Sequence, residues 1–394
     1  MIPYSRQHVT QKDIMAVKNV LKSDFLTQGP MVERFENATK KFVNSKYAVA
    51  VNSATSALHI ACLALGLKKG DWVWTSPNSF VASANCAIYC GAKLDFVDID
   101  SKTYNISIYE LKKKLKKAKI KNKLPKIVIP VHFAGQPCEM FEIHKLSKKY
   151  NFKIIEDASH AIGSSYASSK YLNQNKKFIK VGSCKHSDIT VFSFHPVKII
   201  TTGEGGMALT NQKYLHERMM LFRSHGITRE PNKMTHVPDG PWYYQQIDLG
   251  YNYRMNDIQA ALGLEQIKRL DKNVYKRNLI AKRYDKAFED LPIQKPWKSP
   301  NTHSALHLYV VTLHRKYKKK HLSIFQQMKK KGIGVNLHYI PIHLQPYYTK
   351  MGFKKKDFPI SEDYYNRAIS LPIYPALLKK EQDFIIKSLK LFLK

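Results

Sequence analysis

A chain of 394 residues with 44% hydrophobic and 24% charged side chains is long enough to bury two units of core and too apolar to be disordered. Its formal charge of +35 suits an anionic partner: a nucleic acid, an acidic membrane surface or a small anionic substrate. The lysines are spread along the chain, however, in runs such as Lys112–Lys117, Lys318–Lys320 and Lys329–Lys331 that read as solvated helix faces, and no zinc-finger, RNP or helix-turn-helix signature turns the charge into a nucleic-acid site.

In chain order, Met1–Thr10 places Pro3, Arg6, Gln7 and His8 where the apolar core of a signal peptide would stand. Tyr47–Val51 reads as a strand ending at Asn52–Thr55. A helix then begins, with Ser53 or Thr55 at its start and Gly66 at its end. The apolar stretch Ala54–Leu67 is broken by Ser56, His59 and Gly66 and is too short to span a bilayer, so a soluble cytoplasmic protein is expected. Trp72–Thr75, Lys93–Val97, Ile127–Val131, Lys153–Ile155, Ile189–Phe192 and Gly206–Thr210 read as further strands, with helices over Val81–Cys90 and Met140–Tyr150. Short β-rich runs alternating with amphipathic helices predict an α/β fold, a mostly parallel sheet covered by helices. The texture changes after about Arg254. A long connecting helix over Asn256–Phe288 leads through Pro292, Pro296 and Pro300 to a strand (Leu306–Leu313), a helix (Leu322–Lys331) and a strand (Val335–Tyr339). Two domains are expected: a large one over 1–255 and a smaller C-terminal α+β one over 256–394. Cys62, Cys86, Cys90, Cys138 and Cys184 show neither disulfide nor metal spacing and are expected to be free thiols.

Three segments carry candidate chemistry, all at the C-terminal ends of strands, where open α/β sheets bind ligands. Lys198 follows the apolar run Val191–Phe194 and precedes the glycine-rich turn Thr201–Gly206, which lets backbone approach a bound group closely. Asp157 ends the strand in Lys153–His160; a carboxylate there needs a cation. Asn52–Ser56 opens a helix, whose free N–H groups and dipole favour phosphate. Pyridoxal phosphate (PLP) asks for these three things: an amine to hold its aldehyde as a Schiff base and then move a proton, an anion for its ring nitrogen, and a phosphate cradle. Ser193 adds a hydroxyl for the phosphate, and Phe80 an aromatic face for the ring. Each also has an ordinary reading: a surface lysine, a helix-capping aspartate, a helix start that binds nothing, a core phenylalanine.

Taken together, Asn52–Leu58, Glu156–His160, Ser193–Lys198, Gly203–Gly206 and Gly250–Met255 stand in an order and spacing that resembles the DegT/DnrJ/EryC1/StrS sugar aminotransferases, PLP enzymes of fold type I, across essentially the whole chain. Ser23–Gly29 and Arg223–Gly226 add similarity to the branch that serves pseudaminic acid biosynthesis. The resemblance implies an aspartate aminotransferase-like fold with a seven-stranded sheet, and transfer of an amino group from L-glutamate to a UDP-linked 4-keto-6-deoxy-N-acetylhexosamine. It implies that Lys198 is the Schiff-base lysine, that Asp157 pairs with the ring nitrogen, and that His160 sits beside the cofactor. Ala54, Thr55 and Ser193 would serve the phosphate or the adjoining substrate site. Asn252 would reach the cofactor phosphate of the opposite subunit in a homodimer with shared sites. Tyr4, Asp24, Phe25, Leu26, Thr27, Asn336, Leu337, His338 and Tyr339 would line the nucleotide-sugar pocket; for Tyr339 a packed strand aromatic is the equal alternative. Family members that dehydrate sugars carry histidine where Lys198 stands, so amino transfer is favoured. A zinc enzyme using His132, His160, His195, His225 or His338 finds no local ligand spacing.

Overall fold

The computed structural model describes residues 1–167 and 177–393. Seven strands form the main sheet: β1 (Tyr47–Val51), β2 (Trp72–Thr75), β3 (Lys93–Phe96), β4 (Ile127–Ile129), β5 (Lys153–Asp157), β6 (Ile189–Ser193) and β7 (Gly206–Thr210). Their order is β1-β7-β6-β5-β4-β2-β3, and β7 alone runs antiparallel to its neighbours. Alternation along each strand sends side chains to two separate cores. Ala48 and Ala50 face one, with helices α2 (Pro30–Val43), α5 (Ile108–Ile120), α6 (Met140–Tyr150) and α8 (Asp257–Ile267). Val49 and Val51 face the other, with α3 (Ala54–Ala64), α4 (Ala82–Tyr89) and α7 (Lys213–Arg223). On α5, Leu111, Leu115 and Ala118 are buried while Lys112, Lys113, Lys116 and Lys117 are exposed, the solvated face expected of that lysine run.

A second sheet joins Ile293–Gln294, Tyr309–Leu313 and Ala368–Leu371, all antiparallel. Its core is filled by Tyr284 and Phe288 at the end of α9 (Leu270–Ala287), Ile324 and Met328 of α10 (His321–Lys330), and Ile385 and Leu389 of the helix Lys379–Leu393. The N-terminal segment runs along this unit: Ile2 bridges Ile333, and the Ile373 N–H donates to the Tyr4 carbonyl at 3.0 Å. Among the described residues no helix is long and apolar enough to cross a membrane.

Two expected elements differ. The single helix over 256–288 is two, α8 and α9, broken at Lys268–Arg269, where Arg269 leaves helical geometry at φ −116°, ψ 16°. Val335–Tyr339 is not a strand. Asn336 makes one isolated bridge to Ser370, and the residues after it turn toward the main sheet, where the Tyr339 N–H donates to Asn78 Oδ1 at 3.3 Å.

Candidate active site

The C-terminal ends of β1, β5 and β6 open into one cleft of about 530 Å3. Asp157 arrives at the end of β5, 5% exposed. Its Oδ2 accepts from the Ser83 hydroxyl at 2.6 Å and its Oδ1 from the Ser159 N–H at 3.1 Å. Ser193 ends β6. Beyond it the chain folds back on itself: the Phe194 carbonyl accepts from the Thr202 N–H at 3.0 Å and the Thr201 hydroxyl at 2.9 Å. Lys198 sits on this closed loop, held on both sides because Ser5 Oγ donates to the Val197 carbonyl at 3.0 Å and Asn273 Nδ2 to the Ile199 carbonyl at 3.3 Å. Surrounding protein excludes water from its amine and pushes the pKa down to about 8, an effect that the nearby Asp157 carboxylate partly opposes.

The start of α3 forms the third wall. Ser53 caps the helix by accepting from the Ser56 N–H at 3.1 Å, which leaves Ala54 and Thr55 at the cleft. Gly206 of β7 lies against this turn so closely that a Cβ there would stand 2.5 Å from Ala54 N and 2.5 Å from the Ser53 carbonyl carbon. Gly206→Ala is therefore expected to push the helix start out of place. It should cost about 1–3 kcal/mol of stability and weaken PLP binding at least roughly tenfold, the equivalent of about 1.4 kcal/mol, in a fluorescence titration of the cofactor-free protein.

Histidines line the cleft as well. His160 Nδ1 accepts from the Ala134 N–H at 3.3 Å, so its proton lies on Nε2, 3.0 Å from the Tyr339 hydroxyl. Burial first, then Lys198 and His338, hold its pKa well below the ordinary histidine value. His338, bonded through Nδ1 to Ser370 Oγ at 2.8 Å, is lowered to about 3, again by burial and then Lys198. His307, with its ring centroid 4.4 Å from that of His160, is held down likewise. At neutral pH these rings are neutral, His160 and His338 as hydrogen-bonding groups, and Lys198 is the titrating base among them.

The cleft thus gathers Tyr4, Ala54, Thr55, Phe80, Asp157, His160, Ser193, Lys198 and Asn336, Leu337, His338 and Tyr339. Phe80 is 59% exposed over the cleft, which sets aside the core-packing alternative. Asn252 and Asp24–Thr27 are not among the cleft residues of the same chain. Asn252 is exposed beside Tyr253, whose carbonyl accepts from the Asn52 N–H at 2.8 Å. Asp24 and Phe25 line a separate hollow with Met15, Met31 and Leu264. Sequence reading missed Ser79, Ser83 and His307. Two serines four apart at a helix start were the available signal for the first pair; a lone histidine just before the apolar strand Tyr309–Leu313 gave none.

These residues fit PLP. The hydroxyls of Thr55 and Ser193 have no hydrogen-bond partner among the described residues, beside a helix start that suits a phosphate. The aromatic face of Phe80, the buried carboxylate of Asp157 and a lysine of lowered pKa complete the set.

Residues 7–390 match the DegT/DnrJ/EryC1/StrS aminotransferase family, and the chain belongs to it. It is a PLP-dependent sugar aminotransferase of fold type I. It is 39% identical, over 98% of its length and 96% of the relative's, to the UDP-4-amino-4,6-dideoxy-N-acetyl-beta-L-altrosamine transaminase of Campylobacter jejuni. Helicobacter pylori PseC, an aminotransferase involved in the biosynthesis of pseudoaminic acid, superposes with a TM-score of 0.88 at 33% identity over 100% of this chain and 99% of that one. The putative sugar aminotransferase Spr1654 from Streptococcus pneumoniae, in its PMP form, does so with a TM-score of 0.88 at 28% identity over 100% and 99%.

Proposed function

We propose that this enzyme moves an amino group from L-glutamate to C4 of a UDP-linked 4-keto-6-deoxy-N-acetylhexosamine, a step toward a nonulosonic acid such as pseudaminic acid. The observation that carries the chemistry is the convergence of Lys198, Asp157 and the α3 start in one cleft. The substrate rests on the full-length similarity to the Campylobacter transaminase.

PLP, when bound, supplies an electron sink that makes the proton on an amine-bearing carbon labile. Lys198 would hold the cofactor through its amine, which the donor's own amine would release. Its amine, with a pKa of about 8, then has a neutral fraction at physiological pH that takes the proton from the donor's Cα. In the second half of the cycle it returns a proton in the opposite sense. Asp157 would anchor the ring nitrogen, while Ala54, Thr55 and Ser193 would hold the phosphate. Tyr339, whose hydroxyl accepts from His160 Nε2, and Tyr4, whose ring centroid lies 5.2 Å from that of His338, form the rim for the nucleotide sugar. Asn252, exposed and outside its own chain's cleft, would reach the cofactor phosphate of the opposite subunit in a homodimer with shared sites. The excess positive charge favours capture of a diphosphate-bearing substrate.

The test is the visible spectrum of the PLP-loaded protein. L-glutamate should bleach it to the pyridoxamine form, and a UDP-4-keto sugar should restore it with a new amine visible by mass spectrometry. Bleaching without recovery on that sugar, but with recovery on another nucleotide keto sugar, would overturn the substrate; no bleaching would overturn the donor.

A further inference from the structure

Asp157 forms no ion pair among the described residues, although it is almost fully buried. What holds it is hydrogen bonding from α4. Ser83, fully buried in the first turn of that helix among Ala82, Ala84, Cys86 and Ala87, donates to Asp157 Oδ2 at 2.6 Å. Its oxygen lies 2.7 Å from that of Ser79, which stands at the cleft wall next to Phe80. Ser83 has one hydroxyl proton and gives it to the carboxylate, so the Ser79–Ser83 bond has one direction: Ser79 donates to Ser83, and Ser83 to Asp157. Two hydroxyls in series strengthen each other and present a polarised donor to the charge at the end.

We propose that Ser83, backed by Ser79, is a positioning residue that fixes Asp157 in orientation and keeps it an anion, so that the PLP ring nitrogen stays protonated. This rests on the assignment of Asp157 to that nitrogen. The carboxylate has two oxygens, and each is already aimed by one fixed donor, Ser83 Oγ on Oδ2 and the Ser159 N–H on Oδ1. A carboxylate anion is acceptor-only, so each such donor favours that form over the protonated one. Without the Ser83 hydroxyl, the proton shared between carboxylate and ring nitrogen shifts toward the carboxylate, and the ring withdraws electrons less well.

The experiment uses PLP labelled with 15N at the ring nitrogen, bound to the wild type, Ser83→Ala, Ser83→Thr and Ser79→Ala. The 15N chemical shift reads protonation directly, alongside kcat and KM for L-glutamate. In Ser83→Ala the shift should move toward the unprotonated value. Its kcat should fall roughly 10- to 100-fold, the range for a hydrogen bond to a charged group, with KM almost unchanged. Ser83→Thr, which keeps the hydroxyl, should restore both readouts, and Ser79→Ala should fall between. A wild-type shift in Ser83→Ala overturns the relay, as does equal loss in the folded threonine variant, which would mark a packing role. An unprotonated ring nitrogen in the wild type would instead overturn the assignment of Asp157.

Discussion

Lys198→Met is expected to slow the glutamate half-reaction by roughly 1,000-fold or more, while making the cofactor-free protein harder to unfold. The first effect follows from removing both the group that holds PLP and the base that moves the proton. The second follows from the same burial that tunes the base. In the folded protein the Lys198 pKa is lowered to about 8 from the ordinary 10.5. Below pH 8 the amine is protonated in both folded and unfolded chains, and folding carries the full cost of burying the charge. Between pH 8 and 10.5 the folded protein releases its proton first, and the cost fades. Its size is about 3.4 kcal/mol at most, less where the cleft admits water. Urea unfolding of the two cofactor-free proteins should therefore show methionine ahead by most below pH 8, with the gap closing toward pH 10.5. A gap that widens with pH would contradict the lowered pKa.

Asp157→Asn is expected to lower the rate of the same half-reaction by roughly 100- to 10,000-fold, the consequence of removing one partner from a buried charge pair worth about 3–5 kcal/mol. Asparagine keeps one acceptor oxygen for Ser83 but turns its amide NH2 toward the Ser159 N–H, so the loss combines the charge with one hydrogen bond. The carboxylate also raises the Lys198 pKa, against the larger influence of burial. Its removal should move that pKa below 8. Capture of PLP by the cofactor-free protein requires a neutral lysine, so its rate against pH should have its midpoint near 8 in the wild type and lower in the variant. Stopped-flow absorbance would measure both profiles. A midpoint that rises in the variant would mean that Asp157 does not act on Lys198 in this way.

The strands that build the site were legible because each is a short apolar run ending abruptly in polar residues. Burial makes the run, and the polar break marks where the sheet opens to ligand. Lys198 and Asp157 stood out because a charge directly after such a run is costly without a partner. The break between α8 and α9 was hidden because apolar periodicity continues through Lys268–Arg269; Ile267 and Leu270 are both buried, so the pattern carries across. Val335, Leu337 and Tyr339 alternate as a strand would. Their partners are set by the cleft, with Tyr339 directed to His160, and that is information from distant chain. Ser83 was invisible for a different reason. Small residues surround it on α4, and only the three-dimensional approach of Asp157 distinguishes it from them.

The antiparallel strand β7 also dictates when the site can come into being. β1 is at the edge of the main sheet, and β7 is its neighbour there among the described strands, in a register that sets Val51 opposite Gly206. While the chain emerges from the ribosome, β2 to β5 can find one another early. β1, and with it the turn that cradles phosphate, has no neighbour in that sheet until Gly206–Thr210 has been made. Lys198 lies just upstream of that closing strand, so the cradle and the lysine are captured by the same late, non-local event. A fragment that stops short of Gly206 would contain every residue assigned here to PLP except Asn252, and would still have no place to put it.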